Sequence, residues 1–173
     1  DTGITSSIKT PANAYLGLAW THGPLTLEFD AQWTDWSSWS ELAVNYNNPV
    51  GPTFDTGKVV PEDWHDAWGY RFGAQFAVNQ YLDVRAGFAY DESPIPTRSV
   101  SPRIPGGDRW IYALGLGGHF KGFTTDIAYQ YVDAESVKMG SVGGDDGLPG
   151  SPLQGKFKDV DAHIIAFNLS YQF

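Results

Sequence analysis

Along most of the chain, apolar and polar residues alternate in steps of two. In the last stretch Ile165, Phe167, Leu169, Tyr171 and Phe173 share one face, with Ala166, Asn168, Ser170 and Gln172 opposite. The same period runs through Phe123 to Tyr131, Trp110 to Gly117, Leu82 to Asp91, Trp68 to Ala77, Leu25 to Thr34 and, more briefly, Leu16 to Trp20. Period two sends successive side chains to opposite faces of a strand, so each stretch reads as a half-buried β-strand. Seven such stretches predict an all-β, antiparallel protein.

The connections between them alternate in length. Short turns fall at His22-Gly23-Pro24, at Asn79-Gln80 and at Lys121-Gly122, whereas segments rich in Gly and Pro fall at about 47–66, 94–107 and 139–155. Sorting loops by end is the habit of an up-and-down transmembrane barrel, with short inner turns and long outer loops. Several strands reach the nine to eleven residues that cross a bilayer when tilted. Residues 3–10 are a candidate eighth strand if Pro11 marks a turn.

Alternation alone does not say which face meets lipid. Aromatic residues gather toward strand ends (Trp20, Trp33, Trp36, Trp68, Phe76, Tyr90, Trp110, Phe120, Phe123, Tyr131, Tyr171), where the two interfaces of a membrane would lie. The polar face mixes small residues with Glu28, Asp30, Arg71, Asp83, Arg85 and Asp126, a pattern that fits an ion-paired lumen. The formal charge of −9 argues against a nucleic-acid partner. With no cysteine the chain has no disulfide and no thiolate metal site. No apolar run approaches the length of a transmembrane helix, which leaves strands as the spanning elements.

Three segments standing in order carry a sharper signal: Asp66-Ala67-Trp68-Gly69-Tyr70-Arg71-Phe72-Gly73, then Arg85 through Asp91-Glu92-Ser93-Pro94-Ile95-Pro96, then Ile104-Pro105-Gly106-Gly107-Asp108-Arg109-Trp110. With Gln32-Trp33-Thr34-Asp35-Trp36-Ser37-Ser38-Trp39 and the terminal Tyr171-Gln172-Phe173, the chain resembles the C-terminal half of the FadL family. These are outer-membrane transporters of long-chain fatty acids and hydrocarbons, and they include a toluene-uptake branch. The resemblance implies a barrel of about fourteen strands filled by an N-terminal hatch, with passive movement of ligand and neither a cofactor nor covalent chemistry. Seven crossings with Phe173 inside would place Asp1 outside, whereas complete bacterial barrels usually have an even strand number. Residues 1–173 are therefore expected to be the C-terminal portion of one barrel domain, without the hatch and the N-terminal strands. The expected partners are a fatty acid or hydrocarbon, outer-membrane lipid and lipopolysaccharide, and the missing half of the same barrel, the complete protein being a monomer.

The family also carries a lysine, in the long loop before the Asp-Ala-Trp segment, that meets the fatty-acid carboxylate. The matching position here is Val60 and the nearest lysine is Lys58, so Lys58 with Val59 and Val60 form one candidate ligand site. Arg71 and Arg85 could steer an anion in the lumen, or they could neutralise Asp30, Asp83 and Asp126 on neighbouring strands. Arg109 is a further candidate ligand contact, with anchoring of its loop as the simpler role. His163 and Ser170 are seven residues apart and so lie on opposite faces of a strand, about 23 Å from each other, too far to act as a catalytic pair. Gly143-Gly144-Asp145-Asp146-Gly147 lacks the ligand spacing of a calcium loop. Two rival readings stand beside transport: a small structural or adhesive barrel, and a soluble carbohydrate-binding β-protein that stacks sugars on Trp33, Trp36 and Trp39.

Overall fold

The computed structural model describes residues 3–51, 55–102, 104–139 and 155–173. Its dominant feature is one antiparallel sheet of seven long strands. These are β2 (Asn13–His22), β3 (Leu25–Thr34), β6 (Ala67–Asn79), β7 (Leu82–Asp91), β8 (Arg109–Phe120), β9 (Phe123–Ala134) and β12 (Val160–Tyr171). They pair in the spatial order β12-β9-β8-β7-β6-β3-β2, so every strand lies beside its sequence neighbour within the sheet. All seven alternating stretches are strands, and each strand is 10 to 13 residues long.

The short connections close as hairpins. Phe120 pairs with Phe123 across Lys121 and Gly122, whose φ values of 47° and 85° are the positive pair that a tight type I′ turn demands. At the next turn the Asn79 side-chain carbonyl accepts the Tyr81 amide at 2.8 Å, a turn closed by a side chain in place of backbone. All three short turns lie at one end of the sheet, and the long connections lie at the other.

The long segment at 47–66 differs from expectation. It is largely the far side of a second sheet, in which β4 (Glu41–Val50) is flanked by β1 (Ile4–Ser6) and β5 (Asp55–Pro61). The candidate eighth strand at 3–10 thus does not extend the large sheet; its three strand residues pair with β4, Ile4 opposite Tyr46 and Ser6 opposite Val44. A short alternating run, Leu42-Ala43-Val44-Asn45-Tyr46, supplies the pattern for β4, but the Asn and Pro that follow make it read as loop. Two short strands, β10 (Val137–Lys138) and β11 (Lys156–Phe157), pair antiparallel as a separate two-stranded sheet. The Gly143–Gly147 run lies outside the described residues.

Burial is inverted relative to a water-soluble fold. On the face carrying Leu18, Phe72, Leu114, Ile127 and Phe167 the large apolar side chains are exposed, Leu114 at 64% and Phe167 at 68%. Asp83, on the opposite face, is only 8% exposed. Among the described residues the buried hydrophobic ones are Val60, Ala67, Ala89 and Val100. Such a sheet is stable only if its apolar face meets an apolar solvent. Aromatic rings band both ends of that face. At the loop end Trp68 stacks with Tyr70 at 6.0 Å and Tyr90 with Trp110 at 4.5 Å; at the turn end Phe123 meets Tyr171 at 4.5 Å. Trp36 is not part of this band, because it packs instead on Trp64 at the rim.

Candidate functional site

The polar face is held together by one guanidinium. Arg85 donates to Asp126 at 2.6 Å, to Gln75 at 2.8 Å and to Asp83 at 3.4 Å. Asp83 also meets His119 at 2.9 Å, and Asp126 accepts from Asn168 at 3.3 Å, so the network joins β6, β7, β8, β9 and β12. Gly117 creates the space for it: a Cβ there would stand 2.8 Å from an Arg85 nitrogen and 3.1 Å from the Asp126 carboxylate. With its donors so engaged, Arg85 is the neutralising residue that the polar pattern anticipates for Asp83 and Asp126.

Arg71 does the same nearer the rim, with a different partner. It is paired in register with Asp30, yet its side chain runs over Gly69 to Asp91 at 3.1 Å and to Gln32 at 3.3 Å. A Cβ on Gly69 would lie 2.9 Å from that Asp91 oxygen, so the missing side chain opens the path. Asp30 makes no ion pair among the described residues.

The signature segments meet at the loop-rich end, where they form a clasp. Asp108 accepts the Ser93 amide at 2.9 Å and the Tyr90 hydroxyl, Glu92 accepts the Trp68 amide at 2.9 Å, and the Pro94 carbonyl accepts the His65 amide at 3.0 Å. Gly107 permits a close backbone approach, since a Cβ there would stand 2.5 Å from the Glu135 carbonyl oxygen. The Trp36-Ser37-Ser38-Trp39 turn is tied down alongside. The Ser37 amide donates to Asp66 at 3.1 Å, holding that carboxyl below the usual carboxylate range, and Trp64 packs against Trp36 at 5.0 Å and Trp39 at 5.7 Å.

Below this rim, on the concave polar face, lies a cavity of about 810 Å³. Its wall combines apolar surface (Pro11, Trp36, Trp64, Ile95, Ile104, Pro105) with Gln32, Arg71, Asp91 and Arg109. Of the residues singled out in the sequence, the structure brings Arg71 and Arg109 together here. Arg85 stays in its network toward the turn end. Lys58, Val59 and Val60 stand on β5 in the smaller sheet and do not line the cavity. Being strand residues, Lys58 and Val60 share a face with Leu42 and Val44, while Val59 points the other way and is 51% exposed. Asp108, the neighbour of Arg109, anchors the loop through the Ser93 amide and the Tyr90 hydroxyl. Sequence reasoning missed the part played by Trp64, Ile95 and Ile104, which only the folded loops bring to the cavity. His163 and Ser170 lie on opposite faces of β12: His163 meets the Tyr129 hydroxyl at 2.7 Å, while Ser170 pairs in register with Thr124.

Comparison with known proteins agrees with this geometry. Residues 4–173 match the family model described as outer membrane protein transport protein (OMPP1/FadL/TodX). The long-chain fatty acid transport protein of Salmonella typhi is 28% identical over 114 residues, covering 65% of this chain and 25% of that protein. Outer membrane protein P1 of Haemophilus influenzae is 25% identical over 166 residues, covering 92% of this chain and 35% of that protein. The crystal structure of a Pseudomonas aeruginosa FadL homologue superposes with a TM-score of 0.75 at 28% identity, covering 92% of this chain and 34% of that one. The chain thus spans 25% and 35% of the lengths of the two curated relatives.

Proposed function

Because the chain belongs to the OMPP1/FadL/TodX family of outer-membrane transport proteins, we propose that it forms part of the wall and the outer mouth of a barrel that admits hydrophobic small molecules, long-chain fatty acids among them. Its place is the bacterial outer membrane, where the exposed apolar face meets lipid. The observation that carries the reading is the cavity of about 810 Å³ under the clasped rim, where apolar and aromatic surface meets a few convergent polar groups. A hydrophobic molecule entering there leaves water for that surface and moves on down its concentration gradient, with no bond made or broken.

In this reading the loop-rich end faces the outside and further strands pair with the free edges of β2 and β12. An open sheet edge is not tolerated in hydrocarbon, where each unpaired backbone group costs several kcal/mol. The alternatives make different demands. An adhesive barrel needs no apolar cavity beneath its loops. A sugar-binding protein needs exposed tryptophan faces, whereas Trp36, Trp39 and Trp64 pack against one another.

The test is uptake by intact cells. Bacteria carrying the full-length protein are expected to take up a radiolabelled long-chain fatty acid or alkane several times faster than cells lacking it, while uptake of a small sugar is unchanged. Equal hydrophobe uptake in both strains would refute the transport reading.

A further inference from the structure

Beyond the loop end of the β9–β12 ladder the same two stretches of chain pair once more, as β10 and β11. Val137 stands opposite Phe157 and Lys138 opposite Lys156, so the apolar side chains share one face and the lysines the other. The apolar face is docked: a Val137 methyl lies 3.1 Å from where a Cβ on Gly107 would stand, and the Glu135 amide donates to the Asp108 carbonyl at 2.8 Å. The lysine face points away from that contact, and both lysines are exposed. Like charges directly opposite each other in a ladder repel, so the pair calls for an anion between its members. Among the described residues no carboxylate supplies it. Lys138, Lys156 and the adjoining Lys158 form no ion pair, although Glu135 stands three positions from Lys138 and Asp159 three from Lys156. Closer to the membrane the ladder sets Asp133 opposite Asp161, a pair that repels an anion and so confines it to the lysines. Next comes the aromatic band of the lipid-facing side, where Tyr131 stacks with Tyr112 at 6.4 Å and meets His163 at 5.1 Å. Lys138 lies at most about 23 Å of extended chain beyond Tyr131, and strand tilt lowers that height. The lysines thus stand at the level of lipid head groups and their sugars, beyond the acyl chains.

We infer that Lys138 and Lys156 form a phosphate clamp for lipopolysaccharide, holding the phosphorylated sugars of one lipid against the outer side of the barrel. The inference rests on the reading that the loop-rich end faces outside, because lipopolysaccharide fills the outer leaflet. A phosphate seated between two ammonium groups accepts charge-assisted hydrogen bonds from both and removes their mutual repulsion. The acyl chains of the same lipid run down past Tyr131 and Tyr112, so the aromatic band and the clamp engage two ends of one molecule. Neither lysine lines the cavity, and the clamp is separate from the path of the transported molecule.

The experiment titrates the full-length protein in detergent with fluorescently labelled rough lipopolysaccharide, so that both ends of the barrel are accessible. Lys138→Gln and Lys156→Gln are each expected to weaken binding about fivefold, and the double variant about twenty-five-fold. Phosphatase-treated lipopolysaccharide should bind wild type as weakly as the intact lipid binds the double variant. Lys121→Asn, which removes a lysine from the turn end, should bind like wild type. Without lipid, Lys138→Gln should melt no lower than wild type, since it relieves a like-charge pair. Undiminished binding by the double variant, an equal loss in Lys121→Asn, or equal binding of the dephosphorylated lipid would overturn the inference. So would a lower melting temperature of Lys138→Gln without lipid, which would make the lysines structural. Displacement by inorganic phosphate at the same phosphate concentration would assign the pair to a free anion and overturn the lipopolysaccharide assignment. Orientation is read separately: an impermeant maleimide should label Lys138→Cys in intact cells. Absence of labelling would overturn the outward reading, and the inference with it, whatever the purified protein binds.

Discussion

Replacing Arg85 with alanine is expected to destabilise the barrel by about 2 kcal/mol, more than any other single charge removal on the concave face. The change strips Asp83 and Asp126 of their shared cation and leaves Gln75 without a donor. Asp83 is the most buried charge of the set, and His119 and the Gln75 amide are then its remaining partners in the network. Arg85→Lys should be intermediate, because an ammonium cannot reach three acceptors on separate strands at once. Heat-dependent gel migration of the full-length protein reads the difference. Arg85→Ala should lose its compact form at a clearly lower temperature than wild type. An unchanged midpoint would show that the network contributes nothing to holding the strands together.

A charge on the other face should do still more. Leu114 is 64% exposed near the middle of β8, flanked in register by Ala86 and Tyr129. Leu114→Arg places a guanidinium in hydrocarbon, at a cost of about 2–4 kcal/mol near the bilayer midplane. The variant should fold into lipid vesicles poorly, or only with a large loss of stability in a urea titration. Ala113→Arg, one residue away on the concave face, should insert far better despite crowding the lumen. If the two variants fold equally well, the assignment of faces is wrong.

The large sheet was legible in the sequence because each spanning strand presents one face to lipid and one to the lumen. Period-two alternation is the direct imprint of that two-sided environment, and it marked all seven strands. The positive φ values at Lys121 and Gly122 likewise follow from a residue pair that suits a two-residue turn. The small sheet was not legible. Strands β4 and β5 belong to a separate sheet, apart from the long alternating ladder, and their pairing shifts register between Asn45 and Val50. Gly57, at φ 151°, fits there because a Cβ would lie 2.4 Å from the Val44 carbonyl oxygen.

The candidate site was legible in its parts and not in its assembly. The Asp-Glu-Ser-Pro-Ile-Pro and Ile-Pro-Gly-Gly-Asp-Arg segments stood out as a family signature, but their spelling does not say that Asp108 closes on Ser93 and Tyr90 while Arg109 turns into the cavity. Strand parity could have separated the two, since consecutive residues entering β8 must point to opposite sides. The choice of Asp91 over Asp30 by Arg71 depends on the gap above Gly69, a three-dimensional feature with no trace in spacing along the chain. In the sequence Lys58 reads as a loop cation flanked by two valines. As a strand residue it shares its face with Val60, Leu42 and Val44, while Val59 points the other way.

The account depends most on one assignment: the face bearing Leu114 and Leu116 meets lipid, and the face bearing Ala113 and Gly115 meets the water of the lumen. The 173 residues contain no cysteine, so nitroxide labels can be placed singly from Ile111 to Gly117 in the protein reconstituted into lipid. Collision with oxygen, which concentrates in hydrocarbon, and with a polar nickel chelate, which stays in water, should alternate residue by residue. Labels at 112, 114 and 116 are expected to favour oxygen, and those at 111, 113, 115 and 117 the chelate. The opposite phase, or uniform access to the chelate along the strand, would contradict the membrane-spanning sheet.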